Sequence, residues 1–272
     1  MMTDNALPLL TISLSFLLAF IFVIASDRGR KKQLRKRQQT GLQWLTGLRE
    51  LLAYIQQHRG MTTGYLNGAD GLLKDIAPLQ KRVIRQLQDI SGIGTWIETQ
   101  PRWEDISQHW SGLAKDFKNH SVDTNLHQHN TLIQSILYLI DDMAQRHDLL
   151  LLKDEQDKPL HLLWRELLTA SEYIGQARAI GTGVSAAGHC DSIATIRLKY
   201  LYQKIEAKTQ RVWADISPNA KQQARVEDFM RCLDEQILRE RPSIAPEAFF
   251  SIATAALDSL LEQYDTYVLV HR

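Results

Sequence analysis

Cysteine is nearly absent: Cys190 and Cys232 are the only two in 272 residues. Two thiols without a CxxC spacing exclude a disulfide scaffold, a zinc ribbon and a thioredoxin-like site. With 7 prolines and 14 glycines, collagen-like and low-complexity readings fall away too. An excess of one charge sign is also missing, since 32 Lys and Arg stand against 31 Asp and Glu. The balance is uneven along the chain, however. Arg28, Arg30, Lys31, Lys32, Arg35, Lys36 and Arg37 crowd the start against Asp4 and Asp27, which leaves the body mildly acidic. An acidic body argues against a nucleic-acid partner, because such domains carry a basic face. No P-loop, GxGxxG, GxSxG or HExxH pattern occurs, so neither an enzyme nor a bound cofactor is expected. His189 beside Cys190 reads as an accidental neighbour pair. Strict strand-like alternation is confined to TYVLVH near the C-terminus, which reads as the end of a helix.

The first feature that is present is an uncharged run from Ala6 to Ala25, ALPLLTISLSFLLAFIFVIA. As a helix at about 1.5 Å per residue it would extend roughly 30 Å, the thickness of bilayer hydrocarbon. It follows no basic residue and exceeds the apolar core of a secretory signal, which is about 7–15 residues. The expectation is one transmembrane helix over 6–25 and a basic juxtamembrane segment over 26–40. By the positive-inside rule the N-terminus lies outside and the body is cytoplasmic, in a bacterial-type inner membrane. The basic segment would also suit anionic membrane lipid, and unpaired cysteines suit the cytoplasm.

Beyond residue 40 the apolar residues recur at helical spacing. The expected helices cover 40–68, 71–91, 101–118, 122–150, 158–187, 191–215, 218–240 and 246–269. Gly92 and Gly94 break the second from the third. Pro218 and Pro246 open helices, where the missing N–H costs nothing, and Asp191 is an N-cap candidate. Short connections imply antiparallel neighbours. The polar stretch Asp154-Glu155-Gln156-Asp157 divides the eight helices into halves of 41–153 and 158–272. The predicted fold class is therefore all-α: a body over 41–272 made of two antiparallel four-helix bundles.

An internal repeat stands in the opening helix of each half. YIQQHRGMTTG at 54–64 aligns without gaps to YIGQARAIGTG at 173–183, an offset of 119, with six of eleven positions identical. A duplicated four-helix unit is the expectation. Leu48, Leu52, Ile55 and Arg59 share one helical stripe, as do Leu167, Ser171, Ile174 and Arg178. Both arginines should point inward. A buried guanidinium needs a partner. Either each pairs with a core acid such as Asp141, Asp142 or Glu172, or the two await an exogenous anion. A planar guanidinium fork suits a planar oxyanion, and Thr63, Thr182 and neighbouring glutamines add neutral donors. Gly60, Gly64, Gly181 and Gly183 permit close approach of a helix or a ligand. His120, His127 and His129 read as a solvated polar face rather than a metal site, because i, i+2 histidines diverge on a helix. The six tryptophans read as packing, with Trp44 also suited to a membrane surface.

At these residues the sequence resembles the nitrate- and nitrite-sensing family called NIT. Its opening helix has the form LQ-x-ER-G, here Ile55-Gln56-Gln57-His58-Arg59-Gly60, with His58 for the usual Glu and Ile55 for the usual Leu. A second G-Q-x-R-A-like helix corresponds to Gly175-Gln176-Ala177-Arg178-Ala179. The resemblance covers roughly Gly41 to the C-terminus. It implies two four-helix bundles clasping nitrate or nitrite, with Arg59 and Arg178 as principal contacts and Arg197 as the candidate third arginine, ahead of Arg82 and Arg231. The expected protein is a membrane-anchored sensor that signals to a partner protein, or through its first helix within a homodimer. The alternative is a membrane-anchored helical scaffold with no ligand.

Overall fold

In the computed structural model the backbone is described for residues 6–269 and the side chains for 20–268. The long helix α1 runs Ala6–Leu66 without a break. Its one proline, Pro8, lies in the first turn, where the missing N–H is not needed, and its five glycines, Gly29, Gly41, Gly47, Gly60 and Gly64, are never adjacent, each costing a helix only about 1 kcal/mol. From Phe20 to Gln39 its side chains are exposed or half-buried. From Thr40 onward Leu45, Leu48, Leu51, Leu52 and Ile55 sink into the core. The junction is tied down by Arg37 Nη2, which donates to the Arg146 carbonyl at 2.9 Å, and by Gln38 Nε2, which donates to the Asp148 carbonyl at 3.0 Å.

The expected membrane span over 6–25 requires correction. Among the described residues no helix is long and apolar enough to cross a membrane. Described side chains begin at Phe20, and Asp27 and the basic run through Arg37 follow within the same helix. No sufficiently long apolar window fits there, and the earlier part of the run lies outside the described side chains. Single-pass placement in an inner membrane, with its inside and outside assignment, is not supported.

The remaining helices are α2 Leu73–Gly92, α3 Pro101–Asp116, α4 Val122–Arg146, α5 Leu168–Ala187, α6 Ser192–Trp213, α7 Ala220–Cys232 and α8 Pro246–Leu269. No strand occurs among the described residues, only a single bridge between Lys153 and Pro159 at the predicted polar divide. Punctuation follows the sequence closely. Asp191 caps α6 by accepting from the Ala194 N–H at 2.7 Å, and Pro246 begins α8. Pro218 instead precedes the cap of α7, where Asn219 and Gln222 form a reciprocal capping box. Gly188, at φ +66°, ends α5 in the left-handed conformation that glycine tolerates. Of the final TYVLVH, Thr266 to Leu269 are helical and the rest lies outside the described residues.

Pairings recur in the two halves. α1 packs on α2 and α4, with α3 on α4; α5 packs on α6 and α8, with α7 on α8. One turn of π-helix, Leu163–Leu167, leads into α5, and another, Leu233–Ile237, extends α7. A continuous hydrophobic cluster runs through both halves from Leu42 to Val268. Trp44 belongs to it, with its indole N–H on the Ile90 carbonyl at 3.1 Å, so it is a core residue. Both cysteines are buried and unpaired. The motif-bearing helices α1 and α5 meet where the halves join.

Candidate functional site

Arg59 enters this junction from α1 with 2% of its surface exposed. It meets Glu172 of α5, also 2% exposed, in a two-pronged pair: Nη1 donates to Oε1 at 2.5 Å and Nη2 to Oε2 at 3.1 Å. Desolvating both charges is costly, so such a pair persists only when its remaining atoms are satisfied. They are. Gln56 Nε2 donates to Oε2 and Gln176 Nε2 to Oε1, each at 2.9 Å, while Asn130 Oδ1 accepts from Arg59 Nη1 at 2.6 Å. Helical spacing explains the convergence. Gln56 lies three residues before Arg59, and Gln176 four after Glu172, so each pair shares one face. Gly175 permits the approach, because a Cβ there would stand 2.6 Å from Arg59 Nη2.

Arg178 occupies the corresponding position of α5 and has a different fate. It is half-buried, donates from Nη1 to Thr254 Oγ1 at 2.8 Å, and lies 4.7 Å above the Phe250 ring. No carboxylate reaches it within ion-pair distance among the described residues. Burial lowers its proton affinity, as does the nearby Arg59 charge, while Asp258 and Glu172 pull in the opposite direction. One turn further along, the Thr182 hydroxyl is buried with no hydrogen-bond partner. A half-buried cation without an ion-paired carboxylate, four residues before an idle hydroxyl on the same helix face, is an arrangement that suits an anion.

Behind Arg59 runs a neutral hydrogen-bonded chain. His129 Nδ1 lies 2.7 Å from the Asn125 carbonyl, to which it must donate. Its Nε2 therefore accepts from His58 Nδ1 at 2.8 Å, and His58 Nε2 accepts from Gln80 Nε2 at 3.1 Å. Every proton position follows from the terminal carbonyl. Burial holds both rings uncharged, with His58 lowered to about 4 and His129 to about 3. Trp110 and Phe117 meet His58 edge-on and complete its enclosure. Asn125 also donates to Thr62 Oγ1 and Thr63 Oγ1, each at 3.1 Å.

Comparison with family models matches residues 50–266 to one described as nitrate and nitrite sensing, NIT. The chain belongs to the NIT family. Among solved structures it is similar to the NasR transcription antiterminator, at a TM-score of 0.64 and 14% identity, over 93% of this chain and 73% of that one. At that identity the likeness speaks for the fold. Comparison with curated proteins finds no match. NIT domains are signalling sensors, and membership assigns the chain to nitrate and nitrite sensing rather than to catalysis.

Within this NIT domain the two motif arginines come to one neighbourhood, and the other candidates do not. Arg197 is exposed on α6, because Leu198, Leu201 and Ile205 take the inner face and Arg197 lies off that stripe. Arg82 is exposed, and Arg231 is exposed beside Asp228. Thr63 lies with Asn125 on the first-bundle side, and Thr182 lies on the Arg178 side. The solvated-histidine reading needs correction in part. His127 is exposed, but His129 faces inward and is fully buried, one turn from Asn125 on the inner stripe of α4. Of the three acids considered as partners, Asp141 goes to Arg165 and Asp142 to Arg102. Only Glu172 joins the motif. Among the described residues no cluster of three His, Cys, Asp or Glu could hold a metal. Asn130, Thr254 and Phe250 were not legible as site residues, since nothing in a sequence marks an isolated Asn, Thr or Phe on a distant helix.

Proposed function

We propose that this chain binds nitrate or nitrite where α1 and α5 meet, with Arg178 and Arg59 as the charged contacts and Thr182 as a hydroxyl donor. The observation that carries this reading is the contrast at Arg178: a half-buried guanidinium held by the Thr254 hydroxyl and the Phe250 ring, near the Arg59 charge, with Asp258 and Glu172 in its field but no carboxylate within ion-pair distance. An anion held between the two cations supplies the missing charge and relieves their repulsion. It binds the closed arrangement of the halves better than the open one and shifts the population toward it. Planar oxyanions fit because a guanidinium meets them with paired hydrogen bonds, which a spherical ion cannot accept. Occupancy is read out by a partner protein or a second copy, and α1 supports that role because its side chains from Phe20 to Lys36 are largely exposed.

The Arg59–Glu172 pair favours a second reading, in which the junction is an internally satisfied helical scaffold. Calorimetric titration of the full chain separates the two. Saturable heat with nitrate or nitrite, and none with chloride at equal ionic strength, is the expected result. Indistinguishable responses to every salt would leave the scaffold.

A further inference from the structure

Four N–H groups from three side chains converge on the two oxygens of Glu172: two from Arg59, one from Gln56 and one from Gln176. A carboxylate is a planar group whose two oxygens flank one central atom. Nitrite and nitrate present the same O–X–O edge. The donor set around Glu172 is thus a cradle for a planar oxyanion, and it is already full. Its occupant differs from a solute anion only in being tethered to α5. The donors come from the very segments that carry the repeat, Gln56 and Arg59 from the first and Gln176 from the second. Gly175, where any Cβ would collide with Arg59 Nη2, keeps the cradle open to the guanidinium.

We infer that Glu172 is an internal stand-in for the sensed anion, which a planar oxyanion must displace from Arg59 to bind. The inference rests on the nitrate-sensing reading and adds a residue that sets its threshold and selectivity. An occupant on the same chain competes at high effective concentration. The apparent affinity for a free ion then falls by the fraction of time the cradle is vacant. Chloride cannot take over paired hydrogen bonds that an O–X–O edge receives, so the tethered carboxylate also screens out spherical anions. Release of Glu172 breaks a link between α1 and α5, which gives ligand exchange a structural consequence at the junction.

The test uses the full chain and two variants. Glu172→Gln keeps the shape and removes the charge, so nitrate and nitrite should bind about tenfold tighter or better by calorimetry as the competitor weakens. Glu172→Ala empties the cradle. Its thermal midpoint should fall without added anion and recover with nitrate, nitrite or formate, by more than these ions shift the wild type, and should not recover with chloride. If either variant fails to fold alone, folding with nitrate or formate present supports the inference, and failure in every anion overturns it. Wild-type binding of nitrate, with Glu172→Gln no tighter and Glu172→Ala not rescued, overturns the stand-in while leaving the sensor intact. No binding by wild type or variants overturns both.

Discussion

Arg59 and Arg178 sit at equivalent positions of a repeat 119 residues apart, on helices that pair with their neighbours in the same order, yet their surroundings are opposed. Arg59 is sealed against an asparagine and a carboxylate that two glutamines also hold. Arg178 has a hydroxyl and a phenyl ring. The residue before each differs in the same sense: His58 extends a buried polar chain, where Ala177 contributes only a methyl group to the core. The recurring helix pattern places two cations at one junction, and local partners decide which is fixed in place and which is available.

The largest effect that bears on this contrast is expected from Arg59→Ala. It strands the Glu172 carboxylate in the core, and breaking one side of a buried pair costs about 3–5 kcal/mol. Urea denaturation should show it, and a loss below about 1 kcal/mol would mean that the pair does little for the apo fold. Arg178→Ala should cost far less, because it strands no acid.

Acid comes next. His58 and His129 are held neutral by burial, to about 4 and about 3, whereas in the unfolded chain they titrate near 6.5. The unfolded state therefore binds more protons below 6.5. Their contribution is fully present above that pH, is lost as pH falls toward 4 and 3, and changes no further below both. Stability should decline by about 1–3 kcal/mol per pH unit within that window. His58→Gln should flatten the slope in denaturation curves taken from pH 7 to 4; an unchanged slope would place the titrating groups elsewhere.

Arg178→Lys sharpens the other side of the comparison. It keeps the charge and loses the fork. Nitrate affinity should weaken by about 1–3 kcal/mol, the scale of a charged hydrogen bond, with apo stability almost unmoved. Loss of stability without loss of affinity would make Arg178 structural. The smallest effect is expected at Thr182. Replacing its unpartnered hydroxyl by a methyl in Thr182→Val should raise apo stability by up to about 1 kcal/mol while nitrate binds less well. A rise in stability with affinity unchanged would remove Thr182 from the site.

How much of this was legible depends on how local each signal is. Helix positions follow from apolar spacing and from caps such as Asp191, because both are written within a few residues. The inward phase of Arg59 was equally readable, and Glu172 stood among its three candidate partners. Choosing it over Asp141 and Asp142 needed the crossing of α4 and α5, which no periodicity encodes. His129 was misjudged for the same reason: spacing against His127 says that the two diverge, not which one turns inward. The apolar run before Ala25 was overread, since hydrophobicity alone does not reveal that it heads a helix of 61 residues continuing into the core.

That continuity has a mechanical meaning. Gln56 and Arg59 are cut from the same unbroken rod as Phe20, about 39 residues away, or roughly 60 Å at 1.5 Å per residue. The core holds the rod from Thr40 onward and Arg37 and Gln38 clamp it, so the arm left exposed is Phe20 to Arg37, about 17 residues or roughly 25 Å. A shift in packing that tilts the rod by about 10° would carry that end through about 4 Å.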